Sequence, residues 1–300
     1  MGSILEGLPR AGRVAVVRLR SLGDCVLTTP ALSILRRFRP DLRISVVVEP
    51  RFRAIFEDNP DIDEILQPEL GALRRFRPDL CLNFHGGPRS AWMTALSGAR
   101  VRAGFGHYRS RFAYNVRIPR AQEILKVDRT VHTAEHLASA IFYLGAPVGE
   151  IPRAKLTATD KVSPSAVIHA VAATPEKTWR ADGFLEVAQR LQAARADVVF
   201  IGGRGDALSP FKEFSTLSGA PLGEIKSLLA SASIFVGNDS GPAHMAAAFG
   251  VPSVVIFGAS DPAIWGPWRT PSEVVSAPGG IGAVRVEQVL NALTRLRVPA

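Results

Sequence analysis

The chain has 300 residues, 47% hydrophobic and 21% charged, with a net charge of +9, proportions of a globular protein long enough for two domains that each bury a core. No apolar run approaches the roughly 18 residues needed to span a bilayer. Met1 to Arg10 lacks a signal-peptide core, and Cys25 and Cys81 fit no metal spacing, so a cytoplasmic protein without a disulfide framework is expected.

Arg13 to Leu19 (RVAVVRL) reads as a first buried strand; the tight loop Arg20 to Gly23 follows, and a helix opens at Asp24 and ends at Arg39-Pro40, with a kink expected at Pro30. Ile44 to Val48 is a continuous apolar run of the kind buried on both faces of a parallel sheet. A short helix from Phe52 to Phe56, strands at Ile62 to Leu66, Leu80 to Phe84 and Val101 to Phe105, and helices at Leu70 to Phe76 and Ser90 to Leu96 continue the alternation. Such a βαβα series implies an open, doubly wound sheet. Asp61-Ile62-Asp63 has the D-x-D form by which carboxylates hold a cation, but it follows Asn59-Pro60 and reads as a surface turn.

Gly104 to Arg120 is dense in aromatics and Arg without periodicity, so a loop rim is expected there; His107, Tyr108, Arg109 and Arg111 could hold an acidic substrate or simply stand solvated. Residues 1–150 carry 22 Lys+Arg against 15 Asp+Glu and residues 151–300 carry 14 against 12, so the first half holds +7 and the second +2. Nearly all of the excess is Arg, suited to bidentate contact with phosphate or carboxylate. It points to an anionic partner, a nucleic acid or an acidic membrane surface, or to a compositional Arg-for-Lys bias.

Thr133 to Leu144 is an amphipathic helix, and Gly145 to Lys161, rich in Pro, Gly and Thr, reads as the linker between domains at 1–150 and 151–300. A second series follows: strand Ala166 to Ala170, helix Asp182 to Ala194, strand Val198 to Gly202 and helix Leu222 to Ala230. Ile234 to Val236 is then a strand ending in Gly237, Pro242 takes the first position of a helix of small residues running to Phe249, Gly250 with Pro252 closes it, and Ser253 to Phe257 is a strand. Val284 to Leu296 makes a last helix, free to pack back on the first domain.

Two such halves are expected to face one another across a cleft, with ligands beyond the carboxyl ends of the strands. Loops holding Asp24, Lys177 and Asp239 emerge there. Asp239 or Ser240 is expected to cap the helix at Pro242, whose open N–H groups and positive dipole end suit a phosphate. Asp24 is either a carboxylate facing the cleft or a helix cap, and Lys177 can reach phosphate oxygens as a point charge. Cys25 reads as a buried filler rather than a nucleophile. Neither Gly202-Gly203-Arg204-Gly205 nor the loop at Gly23 forms a dinucleotide fingerprint.

The motifs L-x-S-L-G-D at Leu19 to Asp24, T-x-P-A-L at Thr28 to Leu32, P-x-K-x-W at Pro175 to Trp179, N-D-S-G-P-x-H at Asn238 to His244 and W-G-P at Trp265 to Pro267 together resemble glycosyltransferase family 9, the ADP-heptose:lipopolysaccharide heptosyltransferases, over nearly the whole chain. The resemblance implies a GT-B architecture of two Rossmann-like α/β domains, the first binding the acceptor and the second the nucleotide sugar. It also implies an inverting transfer of a heptose or related sugar from an ADP-sugar to an anionic, lipid-linked saccharide, with no cofactor and no metal. Asp24 would be the general base; Lys177, Thr174, Ser240 and Gly241 would contact donor phosphate and sugar, Asp239 would orient this loop or accept from the sugar, His244 would touch a phosphate or merely pack, and Asp206 would hold the ribose. Arg18, Arg20, His107, Arg109 and Arg111 would meet the acceptor. Attachment would be peripheral, at the inner face of the cytoplasmic membrane, with no nucleic-acid partner. Ala172 and Ala173 stand where the family commonly has hydroxyl residues, and the segment from Ile201 to Leu222 is short, which bears on the phosphate and base contacts. The rival readings are a nucleotide-sugar epimerase or hydrolase, and a non-catalytic nucleotide-sugar or glycan-binding protein on the same scaffold.

Overall fold

The continuous apolar runs become central parallel strands in a computed structural model of the chain, which describes residues 3–158 and 162–296. Two compact units meet in sequence at Lys155 and Leu156. The first contains β1 (Arg13–Val17), α1 (Leu22–Phe38), β2 (Arg43–Val47), β3 (Glu64–Leu66), α2 (Leu70–Phe76), β4 (Leu80–Asn83), α3 (Pro88–Ala95), β5 (Val101–Phe105), β6 (Val116–Ile118), α4 (Ala121–Leu125) and α5 (Thr133–Leu144). The second contains β7 (Ala166–His169), α6 (Ala181–Ala193), β8 (Val198–Gly202), β9 (Ser215–Ser218), α7 (Leu222–Ser231), β10 (Ile234–Asn238), α8 (Gly241–Phe249), β11 (Ser253–Ile256), α9 (Pro262–Trp265), β12 (Ser272–Val275) and α10 (Val286–Arg295).

Each unit forms one six-stranded sheet, ordered β3-β2-β1-β4-β5-β6 and β12-β11-β10-β7-β8-β9. All pairings are parallel: Val14 sits beside Ile44 and Leu80, and Ile168 beside Val236 and Phe200. Read from each unit's own first strand, both sheets have the order 3-2-1-4-5-6. The winding therefore reverses between β1 and β4 and again between β7 and β10, the places where such sheets take ligands.

Three edge strands were not expected from the sequence. β6 lies inside the stretch read as a loop rim, while β9 and β12 are short and polar. The helix expected to open at Asp24 begins at Leu22 with Ser21 at its N-cap, so Asp24 lies in the first turn and is not the cap. Pro30 leaves the helix unbroken: the Val26 carbonyl, deprived of an amide partner by the proline, accepts the Thr29 hydroxyl at 2.8 Å.

The last helix, α10, buries Val286, Val289, Ala292 and Leu293 in the second unit's core beside Trp179, Phe184 and Val254, so over its described length it belongs to that unit. Asp61, read as part of a surface turn, is buried. Its carboxylate accepts the Ser33 hydroxyl and lies 3.1 Å from Lys155 Nζ. The Lys155 backbone N–H donates to Thr29 Oγ1 at 2.9 Å, and its carbonyl accepts Asn59 Nδ2 at 3.2 Å. The stretch read as linker is thus fixed to the first unit as far as Lys155; residues 159–161 of it lie outside the described residues. No helix among the described residues is long and apolar enough to cross a membrane.

Candidate active site

At the reversal point of the first sheet, β1 delivers Arg18 and α1 delivers Asp24. Arg18 is buried, with Nη1 3.4 Å from Asp24 Oδ1, and Ser21 Oγ donates to Asp24 Oδ2 at 3.0 Å. An ion pair and a hydrogen bond from one loop thus fix the orientation of a carboxylate whose side chain keeps a quarter of its surface open. Arg20, in the same loop, is exposed, and its peptide bond to Ser21 is cis. Burial pushes the neighbouring Cys25 thiol up to about 12, so it stays protonated and packs as a small apolar group.

Across the reversal point, β4 ends in Asn83, fully buried and fully hydrogen-bonded. Its Oδ1 accepts the His85 and Gly86 N–H groups at 2.9 and 3.0 Å, and Nδ2 donates to Ser90 Oγ and Tyr114 Oη at 3.1 and 3.0 Å. This bend holds His85 with Nδ1 3.2 Å from the Arg20 carbonyl. Gly86 has φ +73°, and a Cβ there would come within 2.8 Å of the Tyr108 ring, so glycine meets both demands. Tyr108 donates its hydroxyl to the Phe84 carbonyl at 3.0 Å.

Behind it, Phe105 stacks on His136 with centroids 3.9 Å apart, and His107 lies 5.4 Å from each of these rings. Burial lowers all three histidines, with Arg18 adding to the effect on His85 and His136; His136 falls to about 4. They therefore stand as neutral imidazoles at pH 7. Of the residues expected to meet an acceptor, Arg18 is joined to Asp24 and His107 to this ring cluster. Arg109 and Arg111 are exposed, and among the described residues neither enters an ion pair. His85, His136 and Asn83 escaped the sequence reading, although a polar residue closing a buried strand was a usable signal for Asn83.

In the second unit, β10 delivers Asp239 and Ser240 to the start of α8. Neither caps the helix with its side chain, contrary to expectation. Asp239 Oδ2 lies 3.0 Å from Lys177 Nζ, and Ser240 Oγ lies 3.0 Å from Nδ1 of His169, the last residue of β7. The N-terminus of α8, beginning Gly241-Pro242, is thus left without a side-chain cap between two polar pairs. Burial pushes His169 down to about 4, with Asp206 acting weakly the other way, so at pH 7 the imidazole is neutral and shares one proton with the serine hydroxyl.

Lys177 rides on a single 3-10 turn, Pro175–Lys177, held firmly from beneath. The Trp179 N–H donates to Asn238 Oδ1 at 3.0 Å and its Nε1 to the Val284 carbonyl at 2.9 Å. A Cβ on Gly258 would lie 2.0 Å from the Glu176 carbonyl oxygen, so that glycine allows the loop after β11 to pass against the turn. The Thr174 carbonyl accepts the Lys177 N–H at 3.1 Å, and its hydroxyl engages the Glu176 carboxylate. His244 is buried one turn into α8, with its ring 6.3 Å from Trp265. Asp206 is exposed and closes its own loop by accepting the Gly203 N–H at 2.6 Å. The unit can thus offer an ammonium, a neutral imidazole–hydroxyl pair and a helix N-terminus to an anion.

A model of glycosyltransferase family 9 (heptosyltransferase) matches residues 70–289. The chain is 25% identical over 296 aligned positions to lipopolysaccharide heptosyltransferase 3 of Escherichia coli (strain K12), covering 83% of each. Among solved structures it is similar to the glycosyltransferase family 9 protein of Veillonella parvula, with TM-score 0.83 and 22% identity over 96% of this chain and 98% of that one. It also resembles the E. coli ADP-heptose lps heptosyltransferase II, with TM-score 0.80 and 20% identity over 95% and 98%.

Proposed function

The chain belongs to glycosyltransferase family 9 (heptosyltransferase), and from that premise we propose that it transfers a heptose or related sugar from an ADP-sugar to an anionic acceptor of the lipopolysaccharide-core type. The transfer inverts the anomeric centre and needs neither a metal ion nor a cofactor. The observation that carries the reading is Asp24, a partly open carboxylate oriented by Arg18 and Ser21 at the reversal point of the first sheet.

In this mechanism Asp24 takes the proton of an acceptor hydroxyl as that oxygen attacks the anomeric carbon. The new C–O bond forms on the face opposite the breaking bond to the diphosphate, and ADP departs with the electron pair. Charge growing on the leaving phosphate needs preorganised donors. Lys177 and the open N–H groups at the start of α8 supply them, with the His169–Ser240 pair beside, so positive charge comes from the protein. Thr174, Gly241 and His244 line the same donor region, and Asp206 is the candidate for the ribose. Arg20, His107, Arg109 and Arg111 contribute cationic or neutral donors to an acceptor bearing carboxylates and phosphates. The first unit would bind that acceptor and the second the donor, with the protein working at the inner face of the cytoplasmic membrane.

Asp24→Asn tests the reading. The substitution keeps an acceptor for the Ser21 hydroxyl but leaves the buried Arg18 cation without its counter-charge, so the protein should fold with a Tm lowered by a few degrees and retain its ADP affinity while kcat falls by about 100- to 10,000-fold. Near wild-type turnover would remove Asp24 as the base. Incubation with donor alone separates the rival readings, because an epimerase or hydrolase alters the sugar without acceptor and a transferase leaves it intact.

A further inference from the structure

α3 turns Ser90, Met93 and Thr94 inward and leaves Trp92, with Leu96 at its C-cap, facing outward. Ser90 and Thr94 are fully buried and hydrogen-bonded, Ser90 Oγ to the Gly87 carbonyl at 2.8 Å and Thr94 Oγ1 to the Ser90 carbonyl at 2.8 Å. Trp92 and Leu96, four residues apart and so on one face of the helix, are 56% and 42% exposed. Phe112, 62% exposed, comes from the loop after β5 and meets Trp92 edge-on with centroids 5.7 Å apart. Single exposed apolar residues need no explanation, but three that gather on adjoining elements around a shared ring contact mark an interaction surface.

The surrounding charge identifies the partner. Between Leu80 and Gln122 there are seven arginines and no Lys, Asp or Glu, leaving 15 basic against 15 acidic residues in the rest of residues 1–150. The whole excess of the first half therefore falls on the stretch of chain that builds β4, α3, β5, β6 and the loops joining them, with these strands at one end of the first sheet. Arg109 and Arg111 stand exposed on the loop that carries Phe112. Aromatic side chains prefer the headgroup level of a bilayer, and exposed cations beside them are drawn to anionic lipid phosphates. A symmetric contact with a second copy would instead bring this cationic side against itself.

We propose that Trp92, Leu96 and Phe112, with Arg109 and Arg111 at their rim, form the surface by which this protein seats on a bilayer of anionic phospholipid. The inference rests on the functional reading in that a lipid-linked acceptor is met at a membrane, but its test uses no substrate. Co-sedimentation is measured with phosphatidylcholine vesicles containing or lacking about 30% phosphatidylglycerol, at low and high salt, for the wild type and for Trp92→Ser/Phe112→Ser. The wild type should bind the anionic vesicles at least about ten-fold more tightly than the neutral ones, and salt should erode the difference. The double variant should lose about ten-fold or more on anionic vesicles while its melting temperature stays unchanged.

Equal binding to both vesicle types, or a double variant that sediments like the wild type, overturns the proposal. So does a concentration-dependent dimer that the double substitution abolishes, since a second copy would then be the occupant. Vesicle binding that persists in a protein devoid of transferase activity supports this surface while refuting the functional reading.

Discussion

Removing Lys177 should damage the second unit in two separable ways. Asp239 is almost completely buried, its side chain 7% exposed, and its ion-pair partner is Lys177 Nζ at 3.0 Å. Lys177→Met keeps most of the side-chain volume but strands a carboxylate in a poorly solvated place. Deleting one partner of a fully buried pair costs about 3–5 kcal/mol. Lys177 is 35% exposed, so water already screens part of the attraction, and about 2 kcal/mol is the appropriate figure. For a unit of this size that is a fall in Tm of about 4–8 °C. Adding Asp239→Asn removes the stranded charge, so the double variant should melt above Lys177→Met, with a coupling of about 1–2 kcal/mol between the positions. Affinity for ADP should not return, because the ammonium is missing from both proteins. Scanning calorimetry reads the first effect and titration calorimetry with ADP the second. A double variant no more stable than Lys177→Met would refute the buried-charge argument, and unchanged ADP affinity in Lys177→Met would refute the lysine's role in phosphate binding.

Stability should also fall with acid in a defined window. His169 and His136 are each held to about 4 by burial, whereas an unfolded histidine titrates near 6.5. Above that pH both states are neutral; below it the unfolded chain takes up the proton first, so each histidine should remove up to about 1.4 kcal/mol per pH unit down to about pH 4. His169→Asn should flatten the decline of Tm between about pH 6.5 and pH 4, and an identical slope in wild type and variant would show that the imidazole is not held neutral. Gly258→Ala should displace the Lys177 turn, since the new methyl would meet the Glu176 carbonyl oxygen at 2.0 Å; the expected result is at least about a ten-fold loss of ADP affinity, and wild-type affinity with an unshifted Tm would contradict the contact.

What the sequence disclosed of this fold depended on burial. β1, β2, β4, β7, β8, β10 and β11 are apolar runs enclosed within their sheets, and that enclosure is what makes them readable. β6 (VRI), β9 (STLS) and β12 (SEVV) lie at sheet edges, are at most four residues long and expose much of their surface. They are strands because a neighbouring backbone offers them a ladder, a cause that lies in another part of the chain. β3, also at an edge, was legible because Leu66 is buried and Ile65 half-buried.

The site divides in the same way. Asp24, Lys177 and Asp239 were legible from short motifs beside readable strands. The diversion of Ser240 to His169 was not, because His169 lies 71 residues earlier, and only the pairing of β7 with β10 brings the two side by side. His85 and His136 were hidden for a similar reason: neither belongs to a readable motif until packing sets one against the Arg20 carbonyl and the other against Phe105.

The Thr29 hydroxyl gives to the Val26 carbonyl and receives from the Lys155 amide. One oxygen thereby mends the helix at its proline and moors the chain as it departs toward the second unit. The helix that holds the chain at the boundary of the first unit is therefore also the one whose front turn bears Asp24.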